Sequence, residues 1–289
     1  MKRRAALCAL LLAAILPSYA LDWPVEKRIV TGTFGEDRGD HFHDGLDIGG
    51  GPQEVHAVLP GELLFRYDEG CSFTSVPRGT GSFVVLHHGQ DILTLYGHLA
   101  QGSLGAARTI YTPKDLIGII GETGHADGKH LHFSVYDLEE SSSINPLTLL
   151  PTTPDTQPPV IRRVVLAVGN ARQDLEPGAS IAAGKVDVLA EIYDLREDVR
   201  FHAALAPYSV GLALDGKGIS RILFDTLQVK EGRKVLGAAG ISRADIYDPT
   251  GLVRCGRVEL RAGASRLRLV ARDFAGNETV KEVSFTVHE

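Results

Sequence analysis

The most informative stretch of this 289-residue chain is His130-Leu131-His132-Phe133-Ser134-Val135-Tyr136, in which apolar residues alternate with polar or aromatic ones. This alternation is typical of a β-strand. Residues i and i+2 of a strand point to the same face, so His130 and His132 would project together while Leu131 enters the core. Two imidazoles on one face can serve as a metal or acid–base pair, although surface-facing strand histidines have the same pattern.

Short apolar or alternating runs on both sides of this stretch indicate that the chain is all-β. No long stretch shows helical apolar spacing. In the first half these runs are residues 82–86, 92–96, 116–120 and 131–136, separated by turns that contain glycine. In the second half they are residues 161–168, 186–193, 210–214, 257–260, 267–271 and 280–287. Asp215-Gly216 and Gly276-Asn277 supply turns between them. Strands at this spacing predict an immunoglobulin-like β-sandwich for the second half.

A proline-rich segment separates the two halves. Residues 151–159 contain Pro151, Pro154, Pro158 and Pro159, which exclude a regular helix or a central strand. We therefore predict a first domain over residues 21–150, a linker over 151–159 and a second domain over 160–289. Nine of the eleven histidines precede the linker, so the chemistry is expected in the first domain.

Two further motifs of the first half carry metal-binding or acid–base residues. In His43-Asp44-Gly45-Leu46-Asp47, an imidazole and a carboxylate four positions apart can converge on one metal ion, although a solvated polar loop would read the same way. In Tyr96-Gly97-His98-Leu99, a predicted strand delivers another histidine. Catalytic zinc sites usually take three protein ligands and leave one position open, so these motifs together indicate a zinc site.

At these motifs the sequence resembles the lysostaphin/LytM-type zinc metallopeptidases, which cut peptidoglycan cross-bridges. The resemblance covers roughly residues 32–150. It rests on His43 to Asp47, on Tyr96 to Leu99, and on Gly121-Glu122-Thr123-Gly124 followed by His130 to Phe133. It implies a LytM-type antiparallel β catalytic domain.

The resemblance also implies the role of each site residue. His43, Asp47 and His132 would hold one zinc ion (Zn2+), and His98 and His130 would form the catalytic pair that does not bind metal. The expected activity is hydrolysis of peptide cross-links in bacterial peptidoglycan. The alternative is a noncatalytic relative that binds wall peptide or regulates another cell-wall hydrolase.

The first twenty residues are typical of a signal peptide, with Lys2, Arg3 and Arg4 followed by a short apolar run and small residues near Ala20. Export to the periplasm or cell envelope, or secretion, is therefore expected, without stable membrane insertion after cleavage. Removing residues 1–20 changes the formal charge from −6 to −9, which disfavours nucleic acid as a partner. Peptidoglycan peptide is the expected partner, and a protein partner of the second domain is left open.

Several other residues have no assigned chemical role. Cys71 and Cys255 could pair in an oxidising compartment, and their pairing is left open. His87 and His88 are neighbours and would point to opposite strand faces, so we interpret them as structural or solvated. His41 and His125 could line a substrate groove but are not expected to bind metal. Residues 68–81 exceed a minimal hairpin and could either wall that groove or be an idle insertion.

Overall fold

The computed structural model describes residues 21–71, 79–197 and 205–289. Within these ranges the chain is almost entirely β-structure, as predicted. The predicted signal peptide lies outside the described residues, as does most of the extended loop, residues 72–78. No helix of the described part is both long and apolar enough to cross a membrane.

The strands of the first half are short and antiparallel. In chain order they are β1 Val30–Gly32, β2 Leu46–Ile48, β3 Glu54–His56, β4 Gly61–Tyr67, β5 Ser82–His87, β6 Ile92–Leu99, β7 Ile110–Tyr111, β8 Leu116–Ile119, β9 Leu131–Asp137 and β10 Ser142–Ile144. Two 3-10 turns, Glu69–Cys71 and Pro146–Thr148, accompany them. The four predicted strands of this half are all present as β5, β6, β8 and β9.

The central sheet of the first half contains β9, the strand that carries His132. Strands run in the order β10-β9-β6-β5-β4-β7, and β2 pairs with the first residues of β9 while β10 pairs with its last. Leu131, Phe133 and Val135 of β9 are at most 1% exposed and enter the core of the first half, as the alternation predicted. Burying side chains of this size contributes roughly 1.5–3 kcal/mol each, so the core holds β9 firmly in place.

The second half begins after residues 151–159, which form no regular secondary structure. Its strands are β11 Val160–Val168, β12 Ala171–Asp174, β13 Ser180–Ala182, β14 Gly184–Tyr193, β15 Ser209–Leu214, β16 Lys217–Leu223, β17 Thr226–Lys230, β18 Arg233–Leu236, β19 Val253–Leu260, β20 Gly263–Arg272 and β21 Glu278–His288. A single helical turn, α1 Arg243–Ile246, precedes β19. All six predicted runs of this half lie within strands.

Two sheets of the second half pack on one core. One has the order β12-β11-β14-β19 and the other β13-β21-β20-β15-β16. Val188 of the first sheet and Leu212 and Leu269 of the second belong to the same buried cluster. This arrangement is a β-sandwich, and its immunoglobulin-like kinship stays a prediction. Cys255 lies in this core as a free thiol, 2% exposed.

The hairpin β17–β18 leaves the sandwich and joins the sheet of the first half. Strand β17 pairs with β10, with Leu227 opposite Ser143. Phe34 and Phe42 of the first half, both fully buried, belong in return to the core cluster of the sandwich. The two halves therefore share a sheet and a core, an arrangement that the linker composition did not predict.

The contact between the halves is also polar. Arg243 donates from Nε and Nη2 to the two carboxylate oxygens of Asp37, at 2.6 and 2.5 Å. Tyr247 donates its hydroxyl to the carbonyl of Gly35 at 2.9 Å. Asp37 and Gly35 lie in the loop that leads to His43, so the second half supports the loop that carries one of the predicted ligands.

Candidate metal centre and catalytic histidines

Three neighbouring strands bring the sequence motifs together. His132 of β9 lies directly opposite Asp47 of β2 on one side and opposite Gly97 of β6 on the other. His98 follows Gly97, and His130 precedes β9. The register of one sheet therefore juxtaposes motifs that are up to 89 residues apart in the chain.

The three predicted metal ligands converge on one point. The Nε2 atom of His43 lies 3.0 Å from Oδ1 of Asp47 and 3.1 Å from Nδ1 of His132. The His132 Nδ1 atom lies 3.0 Å from the same Asp47 oxygen. His43 and Asp47 are only 5% and 7% exposed, so the cluster is held in a largely dry setting.

Neighbouring groups determine which nitrogen of each imidazole faces the cluster. His43 donates from Nδ1 to the carbonyl of Thr33 at 2.8 Å, which leaves the Nε2 lone pair for a metal. The Nε2 atom of His132 lies 2.8 Å from Oγ of Ser134 and 3.6 Å from Oδ1 of Asp44, which leaves Nδ1 for the metal. Both ligand nitrogens are thus presented to the same point before any ion binds.

Arg38 orients the carboxylate of the cluster. Its Nη2 atom donates to Oδ2 of Asp47 at 2.7 Å, so Oδ1 is the oxygen that faces the two imidazoles. Burial opposes the negative charge of Asp47, but the charges and hydrogen bonds of His43 and His132 outweigh it and hold the pKa well below the ordinary range. The carboxylate is therefore ionised at neutral pH.

The cluster favours positive charge. Burial alone would lower the pKa of His132, but the hydrogen bonds and charges of Asp44 and Asp47 outweigh it and raise the pKa to about 9. Two imidazole nitrogens and one carboxylate oxygen are also the donor types that catalytic zinc sites use. The three donor atoms therefore fit a zinc ion in both position and chemistry.

The backbone needs glycine next to these ligands. A Cβ atom at Gly45 would lie 2.6 Å from Oγ of Ser134 and 2.7 Å from Cε1 of His132. A Cβ atom at Gly32 would lie 2.6 Å from Oδ2 of Asp47. Real Cβ atoms essentially never approach so closely, so any other residue at either position would displace a ligand.

His98 and His130 form a second pair beside the cluster. Their ring centroids are 4.7 Å apart, and the His98 ring lies 5.9 Å from that of His132. His98 donates from Nδ1 to the carbonyl of Thr123 at 2.8 Å, and His130 from Nδ1 to the carbonyl of Gly128 at 2.9 Å. Both rings therefore keep an Nε2 lone pair with which to exchange a proton.

The backbone of His98 is held in an uncommon conformation. Its φ of +57° lies in the left-handed region, which costs free energy for a residue other than glycine. Two hydrogen bonds hold it there, from its N–H to the carbonyl of Thr80 at 2.9 Å and from the N–H of Gly121 to its carbonyl at 3.0 Å. Burial lowers the pKa of its imidazole to about 4, so the ring is neutral at pH 7.

A polar network behind His132 was not predicted from the sequence. Asp44 receives a hydrogen bond from the hydroxyl of Tyr136 at 2.9 Å and pairs with Lys234 of β18. Burial would raise the pKa of Asp44, but the hydrogen bond to His132 and the charge of Lys234 outweigh it and lower the pKa. Asp44 lies within the first motif and Tyr136 lies at i+4 from His132, so both could have been found. Nothing in the sequence pointed to Lys234.

The remaining histidines stay outside the metal cluster. His41 and His125 are exposed, and neither belongs to the group of possible metal ligands. His88 donates from Nδ1 to the carbonyl of Pro60 at 2.8 Å, and its Nε2 lies 2.7 Å from Oγ1 of Thr94. His88 therefore connects the residue before β4 to β6, which agrees with the structural role that we inferred.

Comparison with known proteins agrees with this geometry. Residues 41–146 match the family model described as Peptidase family M23. A second family model matches residues 158–288. The resemblance that we inferred from the motifs is therefore confirmed for the first half, where residues 41–146 are similar to the M23 peptidase family.

Individual relatives show the same similarity. An uncharacterized metalloprotease of Haemophilus influenzae is 33% identical over 101 residues, which cover 34% of this chain and 21% of the relative. The DD-carboxypeptidase/endopeptidase Mpg of Neisseria meningitidis serogroup B is 29% identical over 121 residues, 39% of this chain and 24% of the relative. The chain thus spans about a fifth to a quarter of the length of these relatives. A zinc-containing peptidase from Vibrio cholerae is 24% identical, with 40% of this chain and 36% of that one covered and a TM-score of 0.34.

Proposed function

We propose that this protein is an exported, zinc-dependent metalloendopeptidase that hydrolyses peptide cross-links of bacterial peptidoglycan. The observation that carries the proposal is the convergence of His43 Nε2, Asp47 Oδ1 and His132 Nδ1 within 3.1 Å of one another, with two further histidines beside them. Export is proposed from residues 1–20 of the sequence.

Zinc, when bound by these three residues, would supply the Lewis acidity that activates water and polarises an amide carbonyl. Side chains of the protein would carry out the proton transfers. The Nε2 atom of one of His98 and His130 would take up a proton from the attacking water. The other ring would have to carry a proton on Nε2 as well as on Nδ1, and would then donate a hydrogen bond from Nε2 to the oxyanion that forms. The proton held by the first histidine would then pass to the leaving amine.

The different roles proposed for the five residues rest on how their side chains are oriented. The three ligands are oriented by Thr33, Arg38 and Asp44, whereas the catalytic pair is oriented through backbone carbonyls. Orientation of this kind reduces the entropy lost when substrate and catalytic groups are brought together. The substrate class is proposed from the similarity to the Neisseria relative, a DD-carboxypeptidase/endopeptidase.

Mass spectrometry of peptidoglycan after digestion tests this proposal. Zinc-loaded protein should convert cross-linked muropeptide dimers into monomers, and the mass of the new ends should identify the cleaved bond. The His98→Ala variant is the matched control and should leave the dimers intact. If zinc-loaded wild-type protein also leaves the dimers at their starting level while it binds wall peptide, the noncatalytic alternative holds instead.

A further inference from the structure

Away from the M23 domain, three carboxylates meet where the linker touches the β-sandwich. Asp155 lies in the linker, Asp194 follows β14 of one sheet, and Asp273 follows β20 of the other. One oxygen from each lies within 4.8 Å of those of the other two. The side chain of Asp155 is 1% exposed, and Asp194 and Asp273 are 2% and 1% exposed.

Two of these carboxylates are held by fixed donors. Asp273 accepts from the N–H groups of Gly276 and Asn277 at 2.7 and 2.8 Å and from Nδ2 of Asn277 at 2.7 Å. Asp155 accepts from the N–H of Gln157 at 3.1 Å and from Nη1 of Arg196 at 3.4 Å. Such donors hold both carboxylates in place.

Asp194 is different, because its Oδ1 atom is buried without a hydrogen-bond partner among the residues that the structure describes. A buried polar atom of a charged group that lacks a partner is costly, so such an atom in a folded protein calls for a ligand. Burial and the charges of Asp273 and Asp155 raise the pKa of Asp194 to about 8, although the charge of Arg196 opposes this rise. The three carboxylates therefore repel one another in a place that excludes bulk water, and a bound cation would relieve that repulsion.

We propose that Asp155, Asp194 and Asp273 form a calcium site that clamps the linker to both sheets of the β-sandwich. All three side chains offer oxygen, which Ca2+ prefers, and none offers the nitrogen or sulfur that zinc prefers. Carboxylates bind calcium through one or both oxygens, and backbone carbonyls or water complete its six to eight ligands. The cation neutralises the three carboxylates and gives Oδ1 of Asp194 its partner.

This calcium site stabilises the way the linker packs on the second half. The Nδ2 atom of Asn277 also donates to the backbone carbonyl of Asp155 at 3.0 Å, so the linker and the turn after β20 are already joined beside the site. A cation that binds the folded state and not the unfolded chain raises stability by an amount that grows with the logarithm of its concentration above its Kd. Calcium should therefore hold the linker in place rather than take part in hydrolysis.

Isothermal titration calorimetry and thermal unfolding test the site at pH 7.5, with one equivalent of zinc present throughout to fill the first centre. Wild-type protein should bind one calcium ion per chain, and saturating calcium should raise its Tm by roughly 5 °C. Asp194→Asn keeps the shape of the side chain but removes the charge, so it should bind no calcium and show no shift. Asp174→Asn, at an exposed carboxylate of β12, is the matched control and should behave as wild type.

Two results would overturn the proposal. One is a wild-type protein that shows neither binding heat nor a change in Tm with calcium. The other is an Asp194→Asn variant that still binds one calcium ion, since the ion would then sit elsewhere. An unchanged zinc content and circular dichroism spectrum in Asp194→Asn establish that the variant is folded. The outcome is independent of whether the first centre hydrolyses peptidoglycan.

Discussion

Lys234 of the hairpin β17–β18 forms an ion pair with Asp44, which lies between two ligands of the metal centre in the sequence. Asp44 in turn lies 3.6 Å from Nε2 of His132, and Nζ of Lys234 lies 5.3 Å from the centre of the Tyr136 ring. The second half of the chain therefore contacts the groups that orient a metal ligand.

Replacement of Lys234 by Met should weaken the contact between the second half and the groups that orient His132. Lys234→Met keeps the apolar stem but leaves a largely buried carboxylate without its cation, so the free energy of unfolding should fall by roughly 1–3 kcal/mol. Urea denaturation of Lys234→Met, Asp44→Asn and the double variant measures the coupling between the two residues. Strictly additive losses would show that the pair does not couple the halves. Lys217→Met, at an exposed lysine of β16, is the control and should change stability little.

Substitutions in the site should separate metal binding from catalysis. Asp47→Ala should lose bound zinc, because one of three ligands is removed. His98→Ala and His130→Ala should keep one zinc per chain, but hydrolysis should fall roughly 10²- to 10⁴-fold because proton transfer is impaired. Metal analysis after dialysis and release of dye-labelled peptidoglycan fragments measure the two effects. His87→Ala should change neither, and full activity in His98→Ala or His130→Ala would contradict the assignment of the pair.

A methyl group at Gly45 should disturb the metal centre although no ligand residue is replaced. Gly45→Ala would place Cβ 2.7 Å from Cε1 of His132, so the imidazole must shift. Zinc affinity should fall at least roughly 10-fold, the size of effect seen when the groups that orient metal ligands are changed. Competition with a chromogenic chelator measures this. Gly218→Ala, where nothing lies within 4 Å of the added Cβ, is the control, and equal affinity in the two variants would argue against the crowding.

His88 should make stability depend on pH. Burial lowers its pKa in the folded protein below the ordinary value of about 6.5, and the charge of His87 adds to this, although the carbonyl of Pro60 opposes it. The folded state then binds fewer protons than the unfolded state, so this contribution to stability is complete above about pH 6.5 and is lost as the pH falls below it. Denaturant unfolding should show a smaller loss between pH 7.5 and 5.5 in His88→Gln than in wild type. Equal losses would contradict the prediction.

Much of the fold could be predicted because strands leave a local signature. Alternation in residues 131–136 predicted β9, and its buried and projecting residues are as expected. Short strands such as β2 and β10 were missed because three residues carry too little alternation to stand out. The hairpin β17–β18 was missed for a different reason, since its membership of the first sheet depends on a pairing with β10 that lies more than 80 residues away.

The residues of the candidate site fall into two similar groups, those predicted from local motifs and those that only the fold brings together. His43, Asp47, His98, His130 and His132 were predicted from motifs, since each motif is a short run whose residue types serve one chemistry. Arg38 and Lys234, which orient that site, were not predicted, because a hydrogen bond or ion pair between side chains imposes no fixed spacing on the sequence. The carboxylate group of Asp155, Asp194 and Asp273 was missed because its members come from a linker and two strand ends.

By itself, the sequence determined that the protein is built of β-strands, and it predicted where the two halves meet in the chain and which five residues form the candidate site. Periodicity, proline content and motif spacing are local properties and can be read from neighbouring residues. Only the tertiary structure decided that β17–β18 joins the first sheet, that Lys234 reaches Asp44 and that oxygens of three aspartates lie within 4.8 Å of one another. These features depend on which distant segments pack together, and that is determined by burial and pairing over the whole fold.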